Sequence, residues 1–151
     1  MRLVFTYFRR PPAERRLILR AAVLVSLVRV GLWVLPYKRV RRMVEWRPER
    51  HPGDAGARAP ASSRYTPDDI VRVVGAVSRR IPDASCLTQA LSAQRLLARE
   101  GYESQMQIGV ARNEAGTFEA HAWLEREGSI IIGDIPGLTR YTPLPTRRDE
   151  V

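Results

Sequence analysis

The sequence contains few of the residues from which disulfides and metal sites are built. Cys86 is the only cysteine among 151 residues, and His51 and His121 are the only histidines. Because one cysteine cannot form an internal disulfide, the fold does not depend on an oxidising compartment, and a cytoplasmic location is predicted. Three such residues are also too few for a zinc-type ligand cluster. We therefore expect neither a bound metal nor another cofactor.

Acidic residues are scarce in the first third of the chain. Residues 1–50 hold 13 of the 25 basic side chains and only three acidic ones. Residues 51–151 hold 12 basic and 13 acidic side chains, a net charge of −1 (12 − 13). The overall charge of +9 therefore belongs to the N-terminal third and carries no information about the remainder. No nucleic-acid partner is expected, because residues 17–35 are too apolar for a solvated binding arm.

A long apolar run is present, but it is short for a membrane span. Residues 21–35 form a stretch of 15 residues that Arg29 interrupts and Pro36 ends, whereas a span needs roughly 20 apolar residues. The residues after Pro36 do not suit signal-peptide cleavage. The pattern predicts a helix, starting near Pro11, that packs on protein. Contact of residues 15–47 with a membrane surface is the first alternative, and it would place the protein at the inner face of the membrane. A true membrane span is the second.

The composition divides the chain into one domain and an appendage. A short basic helix is predicted over residues 38–46, so residues 1–47 form a basic, apolar helical extension. Residues 48–63 are rich in Pro, Gly, Ala and Ser and are predicted to be a linker, in which His51 is solvated. Residues 64–151 are predicted to form the functional domain.

Two helices open this domain. Thr66 is a typical N-cap, Pro67 occupies the first helical position, and an apolar stripe with helical spacing follows at Ile70, Val73, Val74 and Val77. Asp83 is predicted to cap a second helix that Gly101 closes. Cys86 would then lie in the first turn of that helix.

The period then changes to that of strands. Apolar and polar residues alternate over 105–110 and over 118–125, and a turn precedes a third apolar segment at 129–133. The three isoleucines of the third segment predict a strand buried on both faces, and Asp134 stands where it ends. The last ten residues are polar and predicted to be frayed. The expected fold class is α+β, with a helix packed on a small antiparallel sheet.

Cys86 is the candidate nucleophile. A helix N-terminus carries roughly half a positive charge, which favours the thiolate over the thiol. The unpaired backbone N–H groups there can also bind an oxyanion. The alternative is a buried and inert cysteine that acts as a small apolar side chain.

His121 and Asp134 are the candidate base and orienting residue. His121 lies 35 positions after Cys86 (121 − 86) in the middle of a predicted strand, and Asp134 follows 13 positions later (134 − 121) at the end of the next strand. A carboxylate there would fix the tautomer of the imidazole and stabilise the imidazolium. Glu125 and Glu127 compete with Asp134 for this role. Taken separately, the histidine could also be an ordinary surface residue and the aspartate a turn residue.

The order of first-turn cysteine, mid-strand histidine and strand-end aspartate resembles the layout of transglutaminase-like and papain-like cysteine proteases. More specifically, residues 64–145 resemble the C-terminal domain of the lasso-peptide B proteins, and the basic apolar N-terminus resembles that family too. The motifs that carry this resemblance are CLTQAL (86–91), LLAREG (96–101), IGV (108–110), AHAWLE (120–125) and GD (133–134).

The resemblance implies a stand-alone leader peptidase that removes the leader from a lasso-peptide precursor, with Cys86, His121 and Asp134 as its catalytic triad. Residues 1–63 show no run of alternating strands, so the chain is similar to the split form, in which leader recognition belongs to a separate small protein. The implied partners are the precursor peptide, this recognition protein and a macrolactam synthetase. A non-catalytic scaffold and a thioester-forming acyl or amide transferase are the alternatives.

Overall fold

The computed structural model describes residues 11–44 and 63–145. These residues form four α-helices and a four-stranded antiparallel sheet, which confirms the predicted α+β class. The predicted linker over 48–63 lies, apart from Ser63, outside the described residues, and so does His51.

The first two helices follow the N-terminal prediction. Helix α1 spans Pro12–Val34, with a proline in its first turn, and α2 spans Tyr37–Val44 directly after Pro36. The predicted end of the second helix, at residue 46, lies outside the described residues. Both helices bury apolar side chains, namely Leu17, Ala21, Val25 and Val28 on α1 and Val40 and Val44 on α2.

Helix α3 spans Pro67–Ser78 and begins at the predicted cap. The Thr66 hydroxyl accepts a hydrogen bond from the Asp69 backbone N–H at 3.2 Å, and the Asp69 carboxylate accepts one from the Thr66 backbone N–H at 3.3 Å. This capping box satisfies two N–H groups that a helix start otherwise leaves unpaired. The predicted apolar stripe is buried along its whole length.

Helix α4 spans Cys86–Arg99, but the predicted cap, Asp83, is wrong. The N-cap is Ser85, whose hydroxyl accepts from the Thr88 backbone N–H at 3.3 Å. An N-cap needs an extended backbone, which Ser85 has, whereas Asp83 adopts a left-handed conformation with φ of 56°. The Asp83 carboxylate instead lies 3.4 Å from the Arg29 guanidinium of α1.

The sheet contains four strands, namely β1 (Gln105–Arg112), β2 (Phe118–Arg126), β3 (Ser129–Ile132) and β4 (Thr142–Pro143). Their order in the sheet is β3-β2-β1-β4, and every pair of neighbours is antiparallel. Hairpins connect β1 to β2 and β2 to β3, as the alternating segments and intervening turns predict.

Two predictions for the C-terminal part are wrong. The isoleucine segment is not buried on both faces, since Ile130 is exposed, Ile131 is half-buried and only Ile132 is buried. The strand β3 pairs only with β2 and forms an edge of the sheet. The prediction that the last ten residues are frayed is wrong for Thr142 and Pro143, because β4 pairs with Gly109 and Val110 of β1, and residues 146–151 lie outside the described residues. A short 3-10 helix, Leu138–Arg140, leads the chain back to this opposite edge.

The two faces of the sheet belong to different apolar clusters. The four helices and the sheet face that carries Met106, Ala122 and Leu124 form one continuous core. On the opposite face lies a second, smaller cluster, which consists of Ala111, Trp123 and Tyr141. The sheet is therefore covered by helices on one side and by its own C-terminal segment on the other.

Candidate active site

Cys86 is the first residue of α4, in agreement with the prediction of a first-turn position. Its side chain is half-buried and packs against the main core. Ser85 accepts hydrogen bonds from two backbone N–H groups in the first turns of the helix. Its hydroxyl accepts from the Thr88 N–H, and its carbonyl oxygen accepts from the Gln89 N–H. Helix geometry leaves the N–H groups of Cys86 and Leu87 without intrahelical partners. These two N–H groups, at the start of the helix that carries the thiol, are the candidate oxyanion donors.

His121 lies in the middle of β2, directly opposite Gly109 of β1. Its ring is half-buried, and Nε2 lies 2.7 Å from the backbone carbonyl oxygen of Gly133. Since a carbonyl oxygen only accepts hydrogen bonds, Nε2 carries the proton and donates it. In the neutral ring, Nδ1 is then the unprotonated nitrogen that can accept a proton.

Gly133 is held against β2 in a conformation that suits only glycine. Its φ is +84°, a region that side-chain-bearing residues rarely adopt. A Cβ atom at this position would lie 2.7 Å from the carbonyl oxygen of Ala122 and 2.9 Å from the Cα of Trp123. The close approach of the two backbones therefore fixes the carbonyl group that accepts from His121.

Two aromatic rings flank the imidazole. The centroid of the Tyr141 ring lies 5.6 Å from that of His121, with 50° between the ring planes. The Trp123 ring lies on the same strand face at 6.4 Å and is nearly parallel to the imidazole. Both aromatic residues are buried, so they restrict the rotation of the His121 ring.

Asp134 is exposed, and among the described residues it forms no hydrogen bond with His121. In the described part of the chain, neither competing glutamate forms a hydrogen bond with the imidazole: Glu125 accepts from the Trp123 indole N–H at 2.7 Å, and Glu127 pairs with Arg126. The neighbour that orients His121 is the Gly133 carbonyl. No side-chain pattern in the sequence indicates this contact, because the acceptor is a backbone carbonyl group.

Cys86 packs against the main core, whereas the ring of His121 lies beside Trp123 and Tyr141 of the second cluster. The helices cover the face with Ala122 and Leu124, whereas His121 lies on the face with Trp123. Within residues 11–44 and 63–145, no hydrogen bond joins the thiol to the imidazole. The structure thus brings His121 together with the segment containing Asp134, and the complete triad of Cys86, His121 and Asp134 stays a prediction.

In the described ranges, no three His, Cys, Asp or Glu side chains are grouped as metal ligands. What the site residues offer is a thiol at a helix N-terminus, free N–H donors beside it, and an oriented imidazole. These are the groups of nucleophilic acyl-transfer chemistry.

Comparison with protein families agrees with this arrangement. The profile described as the Transglutaminase-like superfamily matches residues 19–146, which is 128 of the 151 residues (146 − 19 + 1). The chain therefore belongs to the transglutaminase-like superfamily, which includes cysteine proteases. No curated protein and no solved structure matches the chain significantly.

The family match begins inside α1, and α1 also contributes to the main core. The predicted division into an extension over 1–47 and a catalytic domain over 64–151 stays a prediction.

Proposed function

We propose that the protein is a cysteine peptidase with Cys86 as the nucleophile and His121 as the base. The observation that carries the proposal is the position of Cys86, the first residue of a capped helix in a chain of the transglutaminase-like superfamily. The orientation of the His121 ring by Gly133 supports the second role.

In the proposed mechanism, His121 accepts the thiol proton at Nδ1 and the Cys86 thiolate attacks the carbonyl carbon of the scissile peptide bond. The N–H groups of Cys86 and Leu87 donate to the oxyanion. His121 then protonates the departing amine, and water hydrolyses the thioester. A movement that brings the thiol and the imidazole into contact is part of this proposal.

The imidazolium that forms in the first step is stabilised in two ways. The Gly133 carbonyl accepts a hydrogen bond from Nε2–H, and the Asp134 carboxylate supplies a nearby negative charge. Because Asp134 is exposed, water and salt screen its charge. Its proposed contribution is therefore the weaker of the two.

The proposed substrate is the leader peptide of a lasso-peptide precursor. This proposal is supported by the motifs around Cys86, His121 and Asp134, which resemble those of the lasso-peptide B proteins. Because the chain is similar to the split form, a separate recognition protein would hold the leader and supply the positioning. The released core peptide would pass to a macrolactam synthetase.

The test is leader removal by the purified chain. Precursor and recognition protein are incubated with the wild type, and the separated leader and core are detected by mass spectrometry. We expect cleavage by the wild type and none by Cys86→Ala or His121→Ala. Cys86→Ser is the matched variant that keeps the size of the side chain but weakens the nucleophile. Cleavage by Cys86→Ala at the wild-type rate would refute the proposal.

A non-catalytic scaffold is the second candidate, because Cys86 packs against the main core and forms no hydrogen bond with His121 in the described part of the chain. Alkylation by iodoacetamide distinguishes the two. An activated thiolate reacts near neutral pH and slows in His121→Ala, whereas a structural thiol reacts only on unfolding. A rate that unfolding alone controls would support the scaffold.

A further inference from the structure

Helix α1 has a second apolar face that no part of the described chain covers. Five large apolar residues, spaced by three or four positions, form one exposed stripe along the helix: Leu19, Val23, Leu27, Val30 and Val34. The four buried residues of α1 lie on the opposite side, in the main core. Trp33, at the C-terminal end of the stripe, is 81% exposed. An apolar surface of this length is rare on a protein that has no partner there.

The charges around the stripe have one sign. Arg16 and Arg20 are exposed and extend the stripe at its N-terminal end, and exposed basic residues follow on α2 at Lys38, Arg39 and Arg42. Residues 15–44 contain eight basic residues and no acidic residue. The ligand that complements this surface is therefore apolar and anionic at once.

Helix α1 could cross a bilayer by length and composition alone. Crossing would require lipid on all sides of the helix, but Leu17, Ala21, Val25 and Val28 are already buried against the other helices. The fold therefore leaves one face of α1 for lipid, and a helix with one free apolar face lies in the plane of the membrane surface.

We propose that α1 and α2 dock on the surface of a membrane that contains anionic lipid. The stripe enters the boundary between headgroups and acyl chains, and the arginines and lysine contact lipid phosphates. Trp33 lies at headgroup depth, where an indole places its ring in the apolar layer and its N–H in water. A second copy of the chain is the poorer occupant, because it would bring a second set of the same exposed basic residues against the first. The proposal is independent of the peptidase activity.

Co-sedimentation with vesicles tests whether the basic residues contribute to membrane binding. The probes are vesicles of phosphatidylcholine alone and vesicles with phosphatidylglycerol at one third of the lipid. We expect binding to the anionic vesicles that weakens with salt, and a loss of at least about tenfold in the Arg16→Glu/Arg20→Glu variant. Arg79→Glu/Arg99→Glu makes the same change of charge at exposed positions, directly after α3 and at the end of α4, and it should bind far better. Equal losses in both variants would overturn the proposal.

A second pair of variants tests whether the apolar stripe of α1 contributes to membrane binding. Leu27→Gln/Val30→Gln should release the protein from anionic vesicles, whereas Phe118→Gln/Leu144→Gln, at exposed positions in the sheet region, should not. The Trp emission should shift to shorter wavelength on binding, and Trp33→Phe should bind while losing most of this shift. Failure of the wild type to bind anionic vesicles would overturn the proposal. A wild-type dimer in light scattering that becomes monomeric in Leu27→Gln/Val30→Gln would assign the stripe to self-association and would overturn it equally.

Discussion

The imidazole of His121 donates a hydrogen bond of 2.7 Å to the backbone carbonyl of Gly133, on the segment that follows the neighbouring strand. This contact fixes the tautomer of the ring. The acceptor is a peptide group, so it carries no charge that protonation could remove, and it has no side chain that could rotate away. It also joins β2 to the chain beyond β3 at the place where the ladder between them has ended. The position of the candidate base therefore depends on how closely Gly133 can approach β2.

Gly133→Ala should impair both folding and leader removal. The added Cβ would lie 2.7 Å from the Ala122 carbonyl oxygen, so the segment must move and take the acceptor of His121 with it. We expect a loss of roughly 2–4 kcal/mol in unfolding free energy and more than about tenfold in cleavage rate. Chemical denaturation and mass spectrometry of the precursor measure the two effects.

The matched control for this variant is Gly128→Ala. Gly128 has a similar φ of +78°, but no heavy atom lies within 4 Å of the position that its Cβ would occupy. It therefore reports the backbone cost alone, about 1 kcal/mol. Equal losses of activity in the two variants would contradict a specific role for the Gly133 carbonyl.

Asp134→Asn should slow cleavage less than His121→Ala does. Asp134 is exposed and forms no hydrogen bond with the imidazole in the described structure, so only a screened charge is removed. We expect a decrease below about tenfold that becomes smaller as salt is added. A decrease as large as that of His121→Ala would assign the orienting role to the Asp134 carboxylate.

The sequence predicts well where local chemistry decides the structure. Thr66, Pro67 and Asp69 start α3 through contacts among residues no more than three positions apart, so the cap is readable from the chain itself. The first-turn position of Cys86 and the alternation around His121 are local in the same sense.

Predictions fail where distant parts of the chain compete. The isoleucines of β3 indicate burial, but whether a strand lies at an edge depends on which partner takes its other side. Asp83 and Ser85 are both good caps, but Asp83 adopts a left-handed conformation in which its carboxylate lies beside Arg29, 54 positions earlier in the chain. The contact of Tyr141 with His121 requires the return of the chain to β1, which no spacing reveals.

Gly109→Ala should destabilise the second apolar cluster. A Cβ at this position would lie 2.9 Å from two atoms of the Trp123 ring and 3.0 Å from the Cβ of Tyr141. Both aromatic residues would have to move, and both flank His121. We expect a loss of about 1–3 kcal/mol in unfolding free energy and a lower cleavage rate. Thermal unfolding measures the loss of stability, and near-ultraviolet circular dichroism measures the change in aromatic packing.

Gly75→Ala is a comparison variant in which the same substitution should raise the unfolding free energy. Gly75 lies inside α3, where a Cβ meets only the flexible end of Arg79 at 3.6 Å. This variant should gain about 0.5–1 kcal/mol. A Gly109→Ala protein as stable as the wild type would show that the aromatic rings adjust without cost.

The capping box of α3 should make stability depend on pH. The hydrogen bond from the Thr66 side chain, followed by that from Arg72, lowers the pKa of Asp69 below its ordinary value of 3.8. A carboxyl group with a lowered pKa stabilises the fold above its unfolded pKa, and this stabilisation is lost as the pH falls through the folded pKa. We expect Asp69→Asn to be less stable than the wild type by roughly 0.5–1 kcal/mol at pH 7, a modest value because the carboxylate is partly exposed. Urea denaturation from pH 7 down to about pH 3 should show the difference in stability between the wild type and Asp69→Asn shrinking once the pH drops below 3.8.

The control variant is Asp68→Asn, which removes a charge from the same helical turn without breaking the capping box. It therefore separates the effect of the cap from the interaction of a carboxylate with the helix dipole. Identical dependence of unfolding free energy on pH in the two variants would contradict a role for the capping box and would assign the effect to the helix dipole alone.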